Sequence, residues 1–190
     1  MQEKEFITKI VAGDHSAFKE LFDTYKIEIF NVCFRMLGNQ QEAEDLTQDV
    51  FFQVYKSIKQ FRSESKLSFW LYRIAINFCL NHQKKKKRAQ WFSLDVLFES
   101  SPENTKDTPV SPNNRPDVLL EKSEKERMVQ QAINSLPKQQ RVAVILHRYQ
   151  GLSYQEIAEV MACSVSSVES RLHRAKVSLA KKLLSMKQEI

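Results

Sequence analysis

Apolar side chains recur at steps of three and four residues along most of the chain, which is the period of an amphipathic helix. Between Asp14 and Gly38 the apolar positions are Phe18, Leu21, Phe22, Tyr25, Ile29, Val32, Cys33 and Met36. Asp14 can cap the amino end of such a helix, and Gly38 can adopt the left-handed conformation that ends one. The pattern therefore predicts a first long helix of about six turns.

Two more helices are predicted before residue 95. Asn39 can cap the first of them, with Glu42 reaching back toward it as in a capping box. Its predicted buried positions are Leu46, Val50, Phe51, Val54, Tyr55 and Ile58. The second follows a polar loop at Phe61–Ser68 and reads LSFWLYRIAINFCLNHQKKKKR, so an aromatic first half leads into five consecutive cations. Its predicted core stripe is Trp70, Leu71, Ile74 and Phe78.

The amino-acid composition changes between Glu99 and Pro116. This stretch, ESSPENTKDTPVSPNNRP, contains four of the five prolines and few side chains that could form a core. Such a composition is typical of a flexible linker. Helical periodicity resumes at Asp117, and the whole chain has only three glycines. We therefore predict an all-α fold of two small helical domains, residues 1–95 and 119–190, joined by a flexible linker at residues 96–118.

The second domain contains a helix-turn-helix pattern, LSYQEIAEVMACSVSSVESRLHRAK. Ser153 and Glu156 suit a capping box on a short first helix, and a turn through Ala162 and Cys163 leads to a second N-cap, Ser164. Its predicted buried positions are Tyr154, Ile157, Ala158, Met161, Val165, Val168, Leu172, Ala175 and Leu179. On the second helix, small hydroxyls can approach base edges and cations can bind phosphates. The candidate contacts to duplex DNA are Ser166, Ser167, Glu169, Ser170, Arg171, Arg174 and Lys176.

The charge distribution indicates two kinds of partner. The net charge is +6, with cations concentrated at residues 84–88 and from Arg171 onward, which favours contact with phosphates. Four carboxylates, by contrast, lie within eight residues at Glu42, Glu44, Asp45 and Asp49. DNA would repel this segment, so it predicts a second, basic partner. For each charged run, a solvated helix face is the alternative interpretation.

Aromatic residues beside cations suggest a single-stranded nucleic acid as a further ligand. Phe69, Trp70 and Tyr72 follow the loop residues Arg62 and Lys66. Rings and cations in such proximity suit unstacked bases and their phosphate backbone. The alternative for each ring is burial in the core of the domain.

Several classes of protein are disfavoured by what the sequence lacks. No apolar run approaches the roughly 18 residues of a membrane span, and the amino terminus has no signal-peptide core, so we predict a cytoplasmic protein. Cys33, Cys79 and Cys163 have no metal or redox spacing and are predicted to be plain thiols. Because no phosphate-loop, catalytic-serine or zinc motif occurs, we predict no enzyme, cofactor or metal. Two alternatives stay open, a stand-alone helix-turn-helix regulator and a metal-dependent enzyme using the acidic segment.

Three segments, in order, resemble conserved parts of a known family. They are EAEDLTQDVFFQVYKSIKQF, FRSESKLSFWLYRIAINFCLNHQKKKKR and LPKQQRVAVILHRYQGLSYQEIAEVMACSVSSVESRLHRAK. They resemble bacterial RNA polymerase sigma factors of the extracytoplasmic-function (ECF) group, and the resemblance covers nearly the whole chain. It implies a transcription initiation factor that binds core RNA polymerase and directs it to promoters.

The resemblance also assigns roles to residues. The acidic segment would dock on a basic coiled coil of the polymerase clamp through Glu42, Glu44, Asp45, Leu46, Gln48, Asp49 and Phe52. The loop and aromatic helix would melt the start-proximal promoter element and hold one strand through Arg62, Ser63, Lys66, Trp70, Arg73, Asn77 and Asn81. The helix-turn-helix would read the upstream element as duplex. An anti-sigma factor, often membrane-bound, is a further implied partner.

Overall fold

The computed structural model describes residues 3–61, 65–97 and 118–188. Within them the chain forms eight α-helices and one 3-10 turn, with no strand. The helices are α1 (Glu3–Val11), α2 (His15–Leu37), α3 (Gln40–Ser57), α4 (Leu67–Leu97), α5 (Val118–Ser135), α6 (Lys138–Arg148), α7 (Tyr154–Met161) and α8 (Val165–Gln188), with the 3-10 turn at Ile58–Gln60. The predicted all-α fold is confirmed. None of the described helices combines the length and apolarity that a bilayer crossing requires.

Two helical domains follow one another along the chain. Helices α1–α4 form the first, and α5–α8, which include the helix-turn-helix, form the second. Residues 98–117, most of the predicted linker at 96–118, lie outside the described residues. Helix α4 continues to Leu97, two residues beyond the predicted end of the first domain.

The predicted first long helix is α2, with both predicted caps. The Asp14 carboxylate accepts hydrogen bonds from the amides of Ser16 and Ala17 at 2.9 and 3.2 Å. Gly38 has φ +74° and donates its amide hydrogen to the Phe34 carbonyl. Of the predicted apolar stripe, Leu21, Ile29, Val32, Cys33 and Met36 are buried, and Phe18, Phe22 and Tyr25 are half-buried against the same core.

Helix α3 departs from the predicted capping box. The Asn39 side chain caps the helix by accepting from the Glu42 amide at 2.9 Å. The Glu42 carboxylate does not complete a capping box, because it binds His82 and Lys86 of α4 instead. The predicted buried positions are buried except Tyr55, which is 47% exposed and rests edge-on against Phe18.

Helix α4 buries its predicted stripe only in part. Up to Arg88, the last residue of α4 whose side chain is described, the buried side chains are Leu67, Phe69, Leu71, Tyr72, Ala75, Ile76 and Cys79. Of the predicted stripe, Leu71 is buried, whereas Trp70, Ile74 and Phe78 are half-buried against the same core. Both sets follow helical periods, and the buried one faces α2 and α3, against which α4 packs. Phe69 and Tyr72 are therefore core residues rather than surfaces for bases.

The helix-turn-helix forms as predicted. Glu156 donates its amide hydrogen to the Ser153 hydroxyl, and the Glu156 carboxylate accepts from the Ser153 amide, which completes the capping box. Ala162 takes the left-handed conformation in the turn, with φ +50°. The Ser164 hydroxyl then caps α8 by accepting from the Ser167 amide at 3.2 Å. Val160, on no predicted stripe, is nevertheless buried.

The two domains pack against each other. Helix α2 contacts α5 and α6, and α4 contacts α7. Buried apolar residues of both domains form one continuous cluster. At its edge the Arg141 guanidinium donates to the Met36 carbonyl at 3.0 Å, and burial lowers the pKa of that guanidinium. The second domain thus covers part of the first.

Candidate functional site

Helix α3 presents one continuous exposed face from the acidic segment. Asp45, Gln48, Asp49 and Phe52 are all exposed, and their spacing of three and four residues places them on one side of the helix. Phe52 is 59% exposed, and the Lys56 ammonium lies 4.0 Å from the centre of its ring. An exposed aromatic ring flanked by carboxylates can bind a partner that has both apolar and basic groups.

The other three candidates of the acidic segment lie differently. Leu46 is buried, and Glu44 is half-buried and accepts a hydrogen bond from Gln40 at 2.8 Å. Glu42 accepts from Lys86 at 2.6 Å and lies 3.2 Å from His82 Nε2. Burial alone would raise the pKa of Glu42, but hydrogen bonds from Lys86 and His82 outweigh burial and lower that pKa. Glu42 therefore joins α3 to the lysine block of α4.

The strand-binding candidates that can be described share one side of α4. Trp70 and Arg73 are half-buried, and Lys66, Asn77 and Asn81 are exposed. Trp70 also packs on Phe61, with ring centres 5.3 Å apart. Arg62 and Ser63, which complete the predicted set, lie outside the described residues. The lysine block continues along the same helix, so aromatic, amide and cationic groups follow one another on α4.

Helix α7 lies directly on this side of α4. The Lys66 ammonium is 2.9 Å from the Glu156 carboxylate, and Arg73 donates to the Glu159 carbonyl at 2.8 Å. Arg73 Nε also donates to the Val160 carbonyl at 3.4 Å. Lys66, helped by the amide and hydroxyl of Ser153, lowers the pKa of Glu156 to about 2. The periodicity of α4 gave no sign of this contact. The feature of the sequence that could have indicated this contact is Val160, an apolar residue of α7 that does not belong to the predicted buried stripe of that helix.

The recognition-helix candidates fall on two flanks of α8. Ser166, Ser170 and Arg174 are exposed and four residues apart, so they share one face. Ser167 and Arg171 lie beside this face, and the Arg171 guanidinium reaches back to the Cys163 sulfur at 3.3 Å. Glu169 and Lys176 are separated from them. They line a groove of about 850 Å³ between α5, α6 and α8 instead.

The cysteines of the described residues are free thiols, and none of them belongs to a candidate metal site. Cys33 and Cys79 are buried free thiols and Cys163 is a half-buried one, as predicted. Across residues 3–61, 65–97 and 118–188, no group of three or more His, Cys, Asp or Glu side chains could hold a metal ion.

Comparison with known proteins agrees with these two domains. The family model described as Sigma-70 region 2 matches residues 21–89, and the model described as Sigma-70, region 4 matches residues 126–179. The ECF RNA polymerase sigma factor SigW of Bacillus subtilis is 34% identical over 183 residues, which cover 96% of this chain and 97% of SigW.

Two solved structures share the fold. One is CnrH in complex with the cytosolic domain of CnrY, with a TM-score of 0.68, 17% identity, and coverage of 96% of this chain and 97% of that one. The other is the sigma factor RpoE in complex with the anti-sigma factor NepR from Bartonella quintana, with a TM-score of 0.61, 23% identity, and coverage of 87% and 96%. With both sigma regions present in order and a relative matched over nearly its full length, the chain belongs to the ECF group of the sigma-70 family of RNA polymerase sigma factors.

Proposed function

We propose that this sigma factor selects promoters for core RNA polymerase by three separate surfaces and contributes no catalysis of its own. The first domain docks on polymerase and melts the start-proximal element, and the second domain reads the upstream element. The observation that carries the proposal is the presence of both sigma regions on one chain. A stand-alone helix-turn-helix regulator would not need the first of these regions, region 2. Because transcription in bacteria takes place in the cytoplasm, we propose that the chain acts there.

Polymerase docking is assigned to the exposed face of α3. Asp45 and Asp49 supply carboxylates to a basic coiled coil, and Phe52 supplies the apolar anchor that interface hot spots commonly have. Gln48 lies between them and can donate or accept a hydrogen bond. Leu46, Glu42 and Glu44 support this face from within the domain, because they are buried or bound to neighbouring side chains.

Strand binding is assigned to α4 and the loop before it. Trp70 offers a ring for an unstacked base, while Lys66 and Arg73 offer cations for phosphates. Asn77 and Asn81 can bond to base edges farther along the helix. Arg62 and Ser63 are proposed to complete this surface from the loop. The five cations at residues 84–88 extend it toward more phosphates.

Reading of the upstream duplex is assigned to α8. Ser166, Ser167 and Ser170 permit close approach to base edges, and Arg171 and Arg174 bind phosphates or guanine. Glu169 and Lys176 lie on the other flank, so they contact DNA only at the border of the interface.

An anti-sigma factor is proposed as the regulatory partner. The structurally similar sigma factor RpoE is held in a complex with the anti-sigma factor NepR. A partner of this class, soluble or anchored in a membrane, would keep the present chain from polymerase until a signal releases it.

Run-off transcription tests the proposed function. Core polymerase with this chain should start at a defined promoter site, and core polymerase alone should not. The double variant Asp45→Ala, Asp49→Ala should lose this activity through weaker polymerase binding, while Glu20→Ala, which removes an exposed carboxylate from α2, should retain it. A stable dimer that protects a near-palindromic site without polymerase would instead identify a stand-alone regulator.

A further inference from the structure

The Arg171 guanidinium is held by two sulfur atoms next to the turn between α7 and α8. Its Nη1 nitrogen donates to Cys163 Sγ at 3.3 Å and to Met161 Sδ at 3.8 Å. Long helical side chains point toward the amino end of their helix, so this contact directs Arg171 back along α8 toward the turn. The amino end of a recognition helix is the part that contacts base edges in the major groove. The contact therefore brings the guanidinium toward the end of α8 that meets DNA.

The turn that carries Cys163 is itself held by hydrogen bonds. The Cys163 amide donates to the Ala158 carbonyl at 3.0 Å, and the Ala162 amide donates to the Glu159 carbonyl at 3.3 Å. Ser164, the next residue, caps α8. The Cys163 side chain is half-buried against the apolar core. It thus connects the carboxyl end of α7 to a side chain of the recognition helix.

Sulfur is a suitable acceptor here because it orients a cation without neutralising it. Thiols and thioethers are weak, uncharged acceptors. A carboxylate in the same place would pair with the guanidinium and repel the DNA backbone. In the part of the chain that the structure describes, no carboxylate forms an ion pair with Arg171. The positive charge of Arg171 therefore stays available to DNA.

The contact also leaves one edge of the guanidinium unused. Arginine carries N–H donors on both terminal nitrogens and on Nε. Both sulfur contacts use Nη1, so they take up neither Nη2 nor Nε. The Nη2 and Nε edge presents two parallel donors, which fit the paired acceptors of a guanine base or of a phosphate group. Arg171 can therefore bind DNA without leaving the two sulfur atoms.

We propose that Cys163 is a positioning residue for Arg171 in the reading of the upstream promoter element. Its sulfur, assisted by that of Met161, holds the guanidinium so that the Nη2 and Nε edge faces the paired acceptors of one guanine or one phosphate. This inference rests on the proposed function, because it concerns how α8 reads that element. Ordering a long side chain before DNA arrives removes part of the entropy that binding would otherwise cost.

A double-mutant cycle on the polymerase complex and a promoter duplex tests whether Cys163 acts through Arg171. Cys163→Ala should weaken promoter affinity about three- to tenfold, as expected when one ordered side chain becomes mobile. Cys163→Ser keeps a hydrogen-bond acceptor and should stay within about twofold of wild type. In an Arg171→Ala background, Cys163→Ala should change the affinity less than about twofold, because no guanidinium is left to position.

Two controls separate positioning from packing. Thermal unfolding of every variant measures whether Cys163→Ala loosens the helix-turn-helix, and such a defect would weaken binding equally with and without Arg171. Met161→Leu keeps an apolar side chain of similar size and removes the more distant sulfur, so it should weaken affinity by less than about twofold.

The Arg171→Ala variant shows which acceptor the guanidinium binds. Loss of a phosphate contact should lower the slope of log affinity against log salt by about one. Loss of a guanine contact should instead relax the preference for one base pair of the upstream element. Either result supports the proposed positioning of Arg171.

Three results would each overturn the positioning role. Cys163→Ala could have the same effect in both backgrounds, Cys163→Ser could bind as weakly as Cys163→Ala, or Arg171→Ala could alter neither the salt slope nor the base preference. Arg174→Ala and run-off transcription on the same preparations separate this failure from failure of the proposed function. If Arg174→Ala lowers the salt slope and transcription starts at the promoter, only the role of Cys163 is wrong. If transcription does not start at the promoter, the proposed function itself fails.

Discussion

Phe52 is an exposed aromatic residue to which we assign a central role in polymerase docking. It is a large apolar side chain, 59% exposed, between the carboxylates of the α3 face. We expect Phe52→Ala to weaken binding to core polymerase by about 1–2 kcal/mol, as loss of an aromatic anchor does, and to change the free energy of unfolding by less than about 0.5 kcal/mol. Binding by fluorescence anisotropy and unfolding in urea measure the two quantities.

The control for Phe52 is Ile27, which is 64% exposed on α2. Ile27→Ala removes a comparable exposed apolar side chain outside the docking face, so it should leave polymerase affinity unchanged. Equal losses for the two variants would remove Phe52 from the interface.

Glu42 has a structural role that the sequence did not indicate. Its carboxylate binds Lys86 and His82, and these hydrogen bonds lower its pKa below the usual 4.5 in spite of partial burial. A lowered pKa in the folded state means that the stabilisation is complete above pH 4.5 and is lost as the pH falls through the folded-state value. We expect Glu42→Gln to reduce the free energy of unfolding by about 1 kcal/mol at pH 7.

Urea unfolding at pH 7 and at pH 3 checks this prediction. The difference between wild type and Glu42→Gln should shrink at pH 3, where protonation weakens the same contacts in the wild type. Glu20→Gln, which neutralises an exposed carboxylate of α2, should show little difference at either pH. An undiminished difference at pH 3 would assign the cost of the substitution to something other than charge.

At the scale of the elements, the junction of α2 and α3 depends on a glycine in two ways. Gly38 has φ +74°, which strains any residue with a Cβ, and a Cβ there would also collide with the Asn134 amide of α5. Gly151 has a similar φ of +68°, with no neighbour near the corresponding position. Gly151→Ala should therefore cost about 1–2 kcal/mol of stability from strain alone.

Gly38→Ala should cost about 1 kcal/mol more than Gly151→Ala, because Asn134 must turn away and lose the hydrogen bond that it accepts from Gln130 at 3.1 Å. Thermal unfolding of both variants measures the difference. Adding Asn134→Ala to Gly38→Ala should remove most of the extra cost relative to Asn134→Ala alone. If the extra cost persists in that background, the collision is not its source.

The sequence predicts elements better than it predicts the contacts between them. The caps Asp14, Gly38, Asn39 and Ser153 were predicted correctly, because capping depends on residues within a few positions of each other. The core stripe of α4 was predicted only in part, because its residues other than Leu71 are half-buried against the core rather than fully buried. Two apolar stripes of similar period run along this helix, and the choice between them depends on where α2 and α3 lie.

The same distinction applies to the candidate site. The acidic face of α3 and the serine and arginine face of α8 follow from spacing on one helix. Burial of Val160 and the hydrogen bond from Arg73 to the Glu159 carbonyl of α7 depend on how one domain packs on the other, which periodicity does not encode. The contacts of Glu42 could not be predicted from periodicity either, because its partners are 40 and 44 positions away along the chain.

At the scale of the whole molecule, the two DNA-binding surfaces can act together only when their spacing is fixed. A tether alone gives a modest effective concentration, whereas polymerase bound to both domains would hold the surfaces at the separation of the promoter elements. The free chain should therefore bind promoter duplex weakly, and the polymerase complex should bind it tightly and specifically. Comparable affinity and specificity without polymerase would contradict this.

Salt dependence shows which cations of the whole complex touch phosphate. Each phosphate contact contributes about one unit to the slope of log affinity against log salt, because binding releases a counterion. Arg174 is exposed on the recognition face of α8, so Arg174→Ala should lower the slope for the polymerase complex by about one. Ser170→Ala, on the same face but uncharged, should alter sequence preference and leave the slope unchanged. Filter binding at salt concentrations between about 50 and 200 mM, over which the Debye length falls roughly twofold, measures both slopes. If Arg174→Ala leaves the slope intact, this guanidinium does not contact the DNA backbone, and the remaining cations of α8 must supply that contact.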